Sequence, residues 1–353
     1  MKNVFSKTWR DSASLILLSK RNGESLARSN RGGVNYDILL QTRTSRASFA
    51  NSVVFPGGVN EPGDGGDRWL QLLSSFGYTK EDFATLHHPG SIVTQLFQNN
   101  PIQRHIELRI TAIRETFEEL GLLICSKAPK KNKKGLWADV VTDIDVKHWQ
   151  ERVSKNPEDL LTLCEEHKCY PDIWSLHYWS NWLTPVTLPK RFDAAFFIAA
   201  VKDKTALKSN SEVAKVEWQG PEEILNSDKL LFPPQVYELK RLSQVNDIEE
   251  LIRFASERSQ HGTELLYPFV YHLKDGHVHL LPGDDLFPTN IDYNDNNIQF
   301  IDKTLLELRE GCKTLHRLEI SSGSKKRHFI FHNYKPEHHI NMGDISIPLQ
   351  VIV

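Results

Sequence analysis

Apolar positions in this chain fall into short, well-separated runs, and their spacing predicts alternating strands and helices. A first strand is expected over 14–19, a turn-like segment over 21–33, and a second strand over 36–42. Val53-Val54-Phe55 reads as a short strand that stops at Pro56-Gly57-Gly58, and Glu61-Pro62-Gly63-Asp64-Gly65-Gly66-Asp67 has only loop character. Helical pieces follow over 69–76 and 80–86, with a break at His88-Pro89-Gly90. The clearest segment is 104–120, where Ile106, Ile110, Ile113, Phe117 and Leu120 recur at intervals of four, three, four and three. That spacing makes one apolar stripe on a helix, and Gly121 is its expected C-terminal cap. A basic, proline-containing linker over 127–134 reads as a solvated loop. The tryptophan-rich stretch 146–182 is expected to be mostly helical. Beyond it come strands over 194–201 and 213–218, a short helix over 222–225, and helices over 233–242 and 248–257. Apolar patterning at 318–320, 329–331 and 345–353 reads as folded strands, and no internal repeat is visible.

Composition narrows the class. The 353 residues carry 43 Lys+Arg against 45 Asp+Glu, a net charge of −2, which argues against a general polyanion binder. The longest apolar run, 194–201, is far short of the roughly 20 residues that cross a bilayer. Four cysteines do not make a disulfide scaffold, so a reducing compartment is expected. Lys2, Lys7 and Arg10 precede an apolar stretch, 15–18, that is too short for a secretory signal. An exposed tail or a mitochondrial presequence both fit those first residues. The last residues show no Ser-Lys-Leu-like peroxisomal address. A soluble intracellular protein is expected.

Candidate chemistry sits on the 104–120 helix. With Glu115 at zero, Glu118 lies at about 300° and Glu119 at about 40°, opposite the apolar stripe. Three carboxylates within such an arc repel one another, and an all-oxygen cluster suits a hard divalent cation. A solvated acidic face would carry the same residues. Cys164 and Cys169, with His167 between them, lack the second ligand pair of a structural zinc site, and Cys125 and Cys312 add no CxxC partner. These thiols read as core or surface residues. The 15 histidines show no H-E-x-x-H spacing.

The run Arg114-Glu115-Thr116-Phe117-Glu118-Glu119-Leu120-Gly121-Leu122, preceded upstream by Gly57-Gly58 and Asp64, resembles the motif of the Nudix hydrolases, G-x5-E-x7-R-E-U-x-E-E-x-G-U. Asp64 stands where that family has a glutamate, and Thr116 where it has an aliphatic residue. Forty-nine residues separate Asp64 from Arg114 where the ordinary motif has seven, an insertion of 42. The branch of peroxisomal coenzyme A diphosphatases carries such an insertion. It also matches Trp9-Arg10-Asp11-Ser12, Pro171-Asp172-Ile173-Trp174, Asn181-Trp182-Leu183-Thr184-Pro185, Arg191-Phe192-Asp193 and Pro233-Pro234-Gln235. Beyond about residue 245 no specific resemblance is visible.

The resemblance implies an α/β/α sandwich around a mixed sheet. Residues 1–245 would form the hydrolase domain, with a helical insertion at 65–106 and a linker and helical wall at 127–182; residues 246–353 would form an α+β extension of unknown role. It also implies Mg²⁺- or Mn²⁺-dependent hydrolysis of a nucleoside diphosphate linked to another moiety, here coenzyme A or acyl-CoA cut to 3′,5′-ADP and the 4′-phosphopantetheine part. Glu115, Glu118 and Glu119 would hold the metals, with a carbonyl at Gly57 or Gly58 as a further ligand and Arg114 orienting Glu118. The general base is a motif glutamate, or Glu212 or Glu217. Arg43 and its neighbour Arg46 would meet a phosphate, and Arg191 either contacts substrate or pins its loop. The insertion and the 146–182 helices would wall the pocket. The partner implied is a small nucleotide in the peroxisome, with no nucleic acid and no membrane span. Two readings stay beside this one: another diphosphate (ADP-ribose, a dinucleotide or an RNA cap), and a catalytically silent binding protein of the same fold.

Overall fold

The computed structural model describes residues 9–21, 33–45, 50–130, 136–295, 299–323 and 327–349. Strand β1 (Arg10–Lys20) extends beyond its apolar run at both ends. Ala13, Leu15 and Leu17 face one core and Ile16 and Leu18 another, which is why the run is continuous and does not alternate with polar residues. β2 (Tyr36–Arg43) pairs antiparallel with β1, β3 (Val53–Val54) pairs with β2, and β4 (Gly57–Val59) turns back against the start of β1. Three helices follow: α1 (Asp67–Ser75), α2 (Lys80–Ala84) and the long α3 (Pro101–Leu120). Next come β5 (Cys125–Ser126), α4 (Val146–Val153), α5 (Asp159–Glu166) and β6 (Tyr170–Pro171). β7 (His177–Leu183), β8 (Phe192–Val201), β9 (Val213–Gln219), α6 (Pro221–Leu225), α7 (Pro233–Leu242), α8 (Ile248–Ser259) and β10 (Leu265–Leu266) complete the first unit of structure.

The first sheet runs β10-β7-β8-β1-β2-β3, with β4 beside β1 and β9 beside β2. It is mixed: β8 runs parallel to β1, and β10 parallel to β7, among antiparallel neighbours. One face packs on α3, on the inserted helices and on α4 and α5. The other packs on α7 and α8, which gives the α/β/α arrangement. The second sheet is built from β11 (Phe269–Leu273), β12 (Gly276–Leu280), β13 (Gln299–Phe300), β14 (Leu315–Ser321), β15 (Arg327–His332) and β16 (Ile345–Leu349), in the order β13-β11-β12-β14-β15-β16. Helix α9 (Leu305–Arg309) lies against it, with Leu308 in its outer core. Its inner face joins the second core, where Leu318, Phe329, Phe331 and Ile347 meet Tyr237 and Leu239 of α7. Among the described residues no helix is long and apolar enough to cross a membrane.

The stretch 146–182 corrects the expected helical wall. Only α4, α5 and a single 3-10 turn at Ile173–Ser175 are helical there; Trp179 and Trp182 lie on β7, an inner strand of the first sheet. Both faces of β7 are buried, so its sequence shows no period of two, and a short buried strand is then indistinguishable from a helix by pattern. The N-terminal tail before Trp9 lies outside the described residues.

Candidate active site

Helix α3 starts at Pro101, where a missing N–H costs nothing, and stops at Gly121, whose φ of 70° and N–H to the Phe117 carbonyl (2.8 Å) close its last turn. Its apolar stripe, from Ile106 to Leu120, is buried against β1 and β8, and this turns the opposite side toward β4. The three glutamates therefore do not form a solvated face. Glu119 is 6% exposed, and Glu115 and Glu118 are half-buried.

Arg114, 2% exposed, ties the cluster together. Its Nη1 donates to Glu118 Oε1 at 2.7 Å and to Glu115 Oε1 at 3.0 Å. Its Nε and Nη2 grip both oxygens of Asp64 at 2.6 and 2.9 Å, and Nη2 also donates to the Val59 carbonyl at 2.7 Å. Asp64 in turn accepts from the Glu61 N–H (3.0 Å) and Thr111 Oγ1 (2.8 Å). The two halves of the interrupted motif are thus adjacent in space. Glu119 accepts from Gln41 Nε2 (2.7 Å) and the Gly57 N–H (3.2 Å). A Cβ on Gly58 would stand 2.4 Å from Glu115 Cδ, so only glycine lets this loop reach the carboxylate.

Burial raises all three carboxyls. Glu115 is pushed up to about 8 and Glu119 to about 7, and Glu118 is raised as well. Arg114 opposes this at Glu115 and Glu118, while Arg43 and the bonds from Gln41 and Gly57 oppose it at Glu119. A cluster of hard oxygen donors, desolvated and short of positive charge, fits a divalent cation. Glu115, Glu118 and Glu119 are the side chains that would hold it.

These glutamates line a cavity of about 1640 Å³. That exceeds the roughly 300–1,000 Å³ of an ordinary small-molecule pocket. Arg43, Arg191 and Glu212 also line it. Arg191 Nε donates to the Thr184 carbonyl at 3.0 Å and its guanidinium lies 5.1 Å from the Trp9 ring, which holds the 184–192 loop in place. Glu217 is outside the cavity lining, engaged by Lys215 at 2.8 Å and Lys229 at 3.4 Å. Arg46 lies outside the described residues.

The walls differ from expectation. No described residue of 65–106 lines the cavity; Trp69, Leu73, Phe83 and Phe97 of that insertion bury themselves in the first core instead. From 146–182 only Ser154, Pro157 and Trp182 contribute. The far wall comes from the second sheet: His272, His277, His279, Leu318, Arg327 and Phe329. Sequence reading missed these because the histidines meet across strands, not at a linear metal-binding spacing; the alternation His277-Val278-His279 was the available signal. Three buried thiols, Cys125, Cys164 and Cys169, gather with their sulfurs within 4.8 Å of one another in the first core, a proximity their sequence positions did not suggest.

Comparison with known proteins bears on this site. The sequence profile of the NUDT19 Nudix domain matches residues 9–242, which include both halves of the motif. The chain belongs to the Nudix hydrolases, in the NUDT19 family. The profile of the NUDT19 C-terminal domain matches residues 270–326, in the region where the sequence alone showed no resemblance. A relative named acyl-coenzyme A diphosphatase NUDT19, from Xenopus laevis, is 32% identical over 95% of this chain and 96% of its own length. The protein of the same name from Gallus gallus is 32% identical over 89% of each chain. A putative nudix hydrolase 7 from Caenorhabditis elegans is 28% identical over 69% of this chain and 63% of its own. Among solved structures, a NUDIX hydrolase from Alicyclobacillus acidocaldarius aligns with a TM-score of 0.49 and 19% identity, over 69% of this chain and 96% of that one.

Proposed function

We propose that this Nudix hydrolase is a diphosphatase of coenzyme A and acyl-CoA, releasing 3′,5′-ADP and (acyl-)4′-phosphopantetheine. The observation that carries the reading is the placement of Glu115, Glu118 and Glu119 in the lining of a cavity of about 1640 Å³. The end-to-end similarity to proteins named acyl-coenzyme A diphosphatase supports the choice of substrate. Mg²⁺ or Mn²⁺ held there supplies charge neutralisation of the diphosphate and polarisation of the attacked phosphorus. In this reading the three glutamates are metal ligands, joined by the Gly58 carbonyl. Arg114 fixes the rotamers of Glu115 and Glu118, and Asp64 fixes Arg114. Arg43 binds a phosphate oxygen, and Arg191 shapes the loop over the substrate. Glu212, exposed on the cavity lining, accepts the proton of the attacking water; Glu217 is engaged by its two lysines and serves β9 alone. Residues 1–245 carry the chemistry, residues 246–353 supply the far wall, and the compartment is the peroxisome.

The test is cleavage of CoA, acyl-CoA, ADP-ribose, a dinucleotide and capped RNA by the purified chain, with and without Mg²⁺ or Mn²⁺. The expected result is metal-dependent release of 3′,5′-ADP from CoA or acyl-CoA, lost in Glu119→Gln. Absence of metal-dependent cleavage of both CoA and acyl-CoA overturns the substrate, and a wild-type rate in Glu119→Gln overturns the metal site.

A further inference from the structure

The far wall of the cavity has its own chemistry. On β12, Val278 and Leu280 pack into a small outer core with Leu273 and Leu308, which leaves His277 and His279 on the inner face. Strand register then aligns two rows across four strands. His272, His277, Ile320 and Arg327 are successive cross-strand partners, and so are Val270, His279, Leu318 and Phe329. All eight line the same cavity as the catalytic glutamates. The imidazoles are close, with ring centroids 5.6 Å apart for His272 and His277 and 5.3 Å for His277 and His279.

These groups have no paired counter-charge among the described residues. Among the described residues no hydrogen bond or ion pair joins His272, His277, His279 or Arg327 to a carboxylate. The cavity's carboxylates are Glu61, Glu115, Glu118, Glu119 and Glu212, all from the first unit of structure. The second-sheet wall of the cavity therefore presents imidazole and guanidinium groups and no carboxylate, whereas the carboxylates stand on the first unit together with Arg10, Arg43, Arg114, Lys190 and Arg191. His279 is pushed down to about 3 by burial, then by His277, His272 and Arg327, and Arg327 is itself lowered by burial. Gathering cationic and imidazole groups on a partly desolvated wall costs stability unless an anion compensates. The alternate apolar row gives that anion a hydrophobic neighbour, as specific small-molecule sites usually do.

We propose that this face of the second sheet is an oxyanion subsite, in which Arg327, His277 and their neighbours bind a terminal phosphate or carboxylate of the substrate remote from the cleaved anhydride. The inference rests on the diphosphatase reading above. Coenzyme A offers two sources of such a group. One is the 3′-phosphate of its ribose; the other is a carboxylate at the far end of an acyl chain. The remaining pantetheine portion is uncharged.

The experiment compares kcat/KM of the full chain within two substrate pairs: CoA against 3′-dephospho-CoA, and an ω-carboxyacyl-CoA against the unsubstituted acyl-CoA of equal length. The wild-type protein is expected to favour the anionic member of one pair by roughly tenfold or more, the effect of one charge-assisted hydrogen bond. In Arg327→Gln and His277→Gln that ratio falls toward one, and Arg327→Lys restores part of it. Collapse in the first pair assigns the subsite to the 3′-phosphate, and collapse in the second to the acyl carboxylate. No preference in either pair, or ratios unmoved by both variants, overturns the subsite. The diphosphatase reading is judged separately, because it fails only when none of the four compounds is cleaved. A variant that misfolds lowers all four rates together, and the ratios of the other, folded variant then decide the question.

Discussion

Asp64 shows how much one buried pair governs here. Its carboxylate is the clamp on Arg114, both side chains are 2% exposed or less, and Arg114 in turn holds two glutamates. Asp64→Ala leaves a guanidinium in the interior without its main partner, which should cost about 3–5 kcal/mol in urea unfolding. The loosened glutamates should lower activity roughly 10–100-fold in steady-state cleavage of CoA. Unchanged stability would show that water enters and replaces the pair. The grouping of the three glutamates was legible from helix period, because an angle on a helix is fixed by residue spacing, whereas their metal-holding role and the part of Arg114 came from the resemblance. The partnership of Asp64 with Arg114 was not, since it depends on how 49 intervening residues fold. Nor did anything in the sequence mark Gln41, whose amide reaches Glu119 from a neighbouring strand.

Elements were legible in proportion to how one-sided they are. Helix α3 carries a clean apolar stripe and a glycine stop, and both are where the pattern puts them. At Gly121 the backbone is left-handed and a Cβ would sit 2.7 Å from Val146 Cγ1 of α4. Gly121→Ala should therefore destabilise the protein by about 1–2 kcal/mol for the backbone alone, read as a lowered denaturation midpoint. A midpoint equal to the wild type's would mean that α4 shifts to make room. β7 has no polar side, and the rule that separates helix from strand lost its signal there. The insertion was misplaced in space. It was expected to wall the pocket, whereas Tyr78 stacks on Trp174 at 3.9 Å and Phe97 on His105 at 4.2 Å within the core.

At the level of the whole molecule, the second sheet is joined to the first through one continuous core. At that junction a relay runs from Arg241 Nη2 to Tyr237 Oη (3.0 Å), from Tyr237 O–H to His316 Nε2 (2.9 Å), and from His316 Nδ1–H to the Pro282 carbonyl. This pattern requires a neutral imidazole. Burial pushes His316 down to about 3, against about 6.5 when exposed. Between those values the unfolded chain binds the extra proton, so stability present above about pH 6.5 is lost as pH falls toward 3. Thermal unfolding from pH 7.5 to 5 should show that loss, with a shallower slope in His316→Gln; identical slopes would clear His316 of the effect. The sequence revealed folded strands after residue 246 but not where they dock, because strand pairing across a domain leaves no local trace. One consequence concerns how such a protein changes over generations. The insertion packs on the first core and no described residue of 65–106 lines the cavity, so its length and surface are free to drift while the chemistry stays fixed. The second sheet has no such freedom, since each change on its inner face alters both the packing it shares and the molecules the cavity admits.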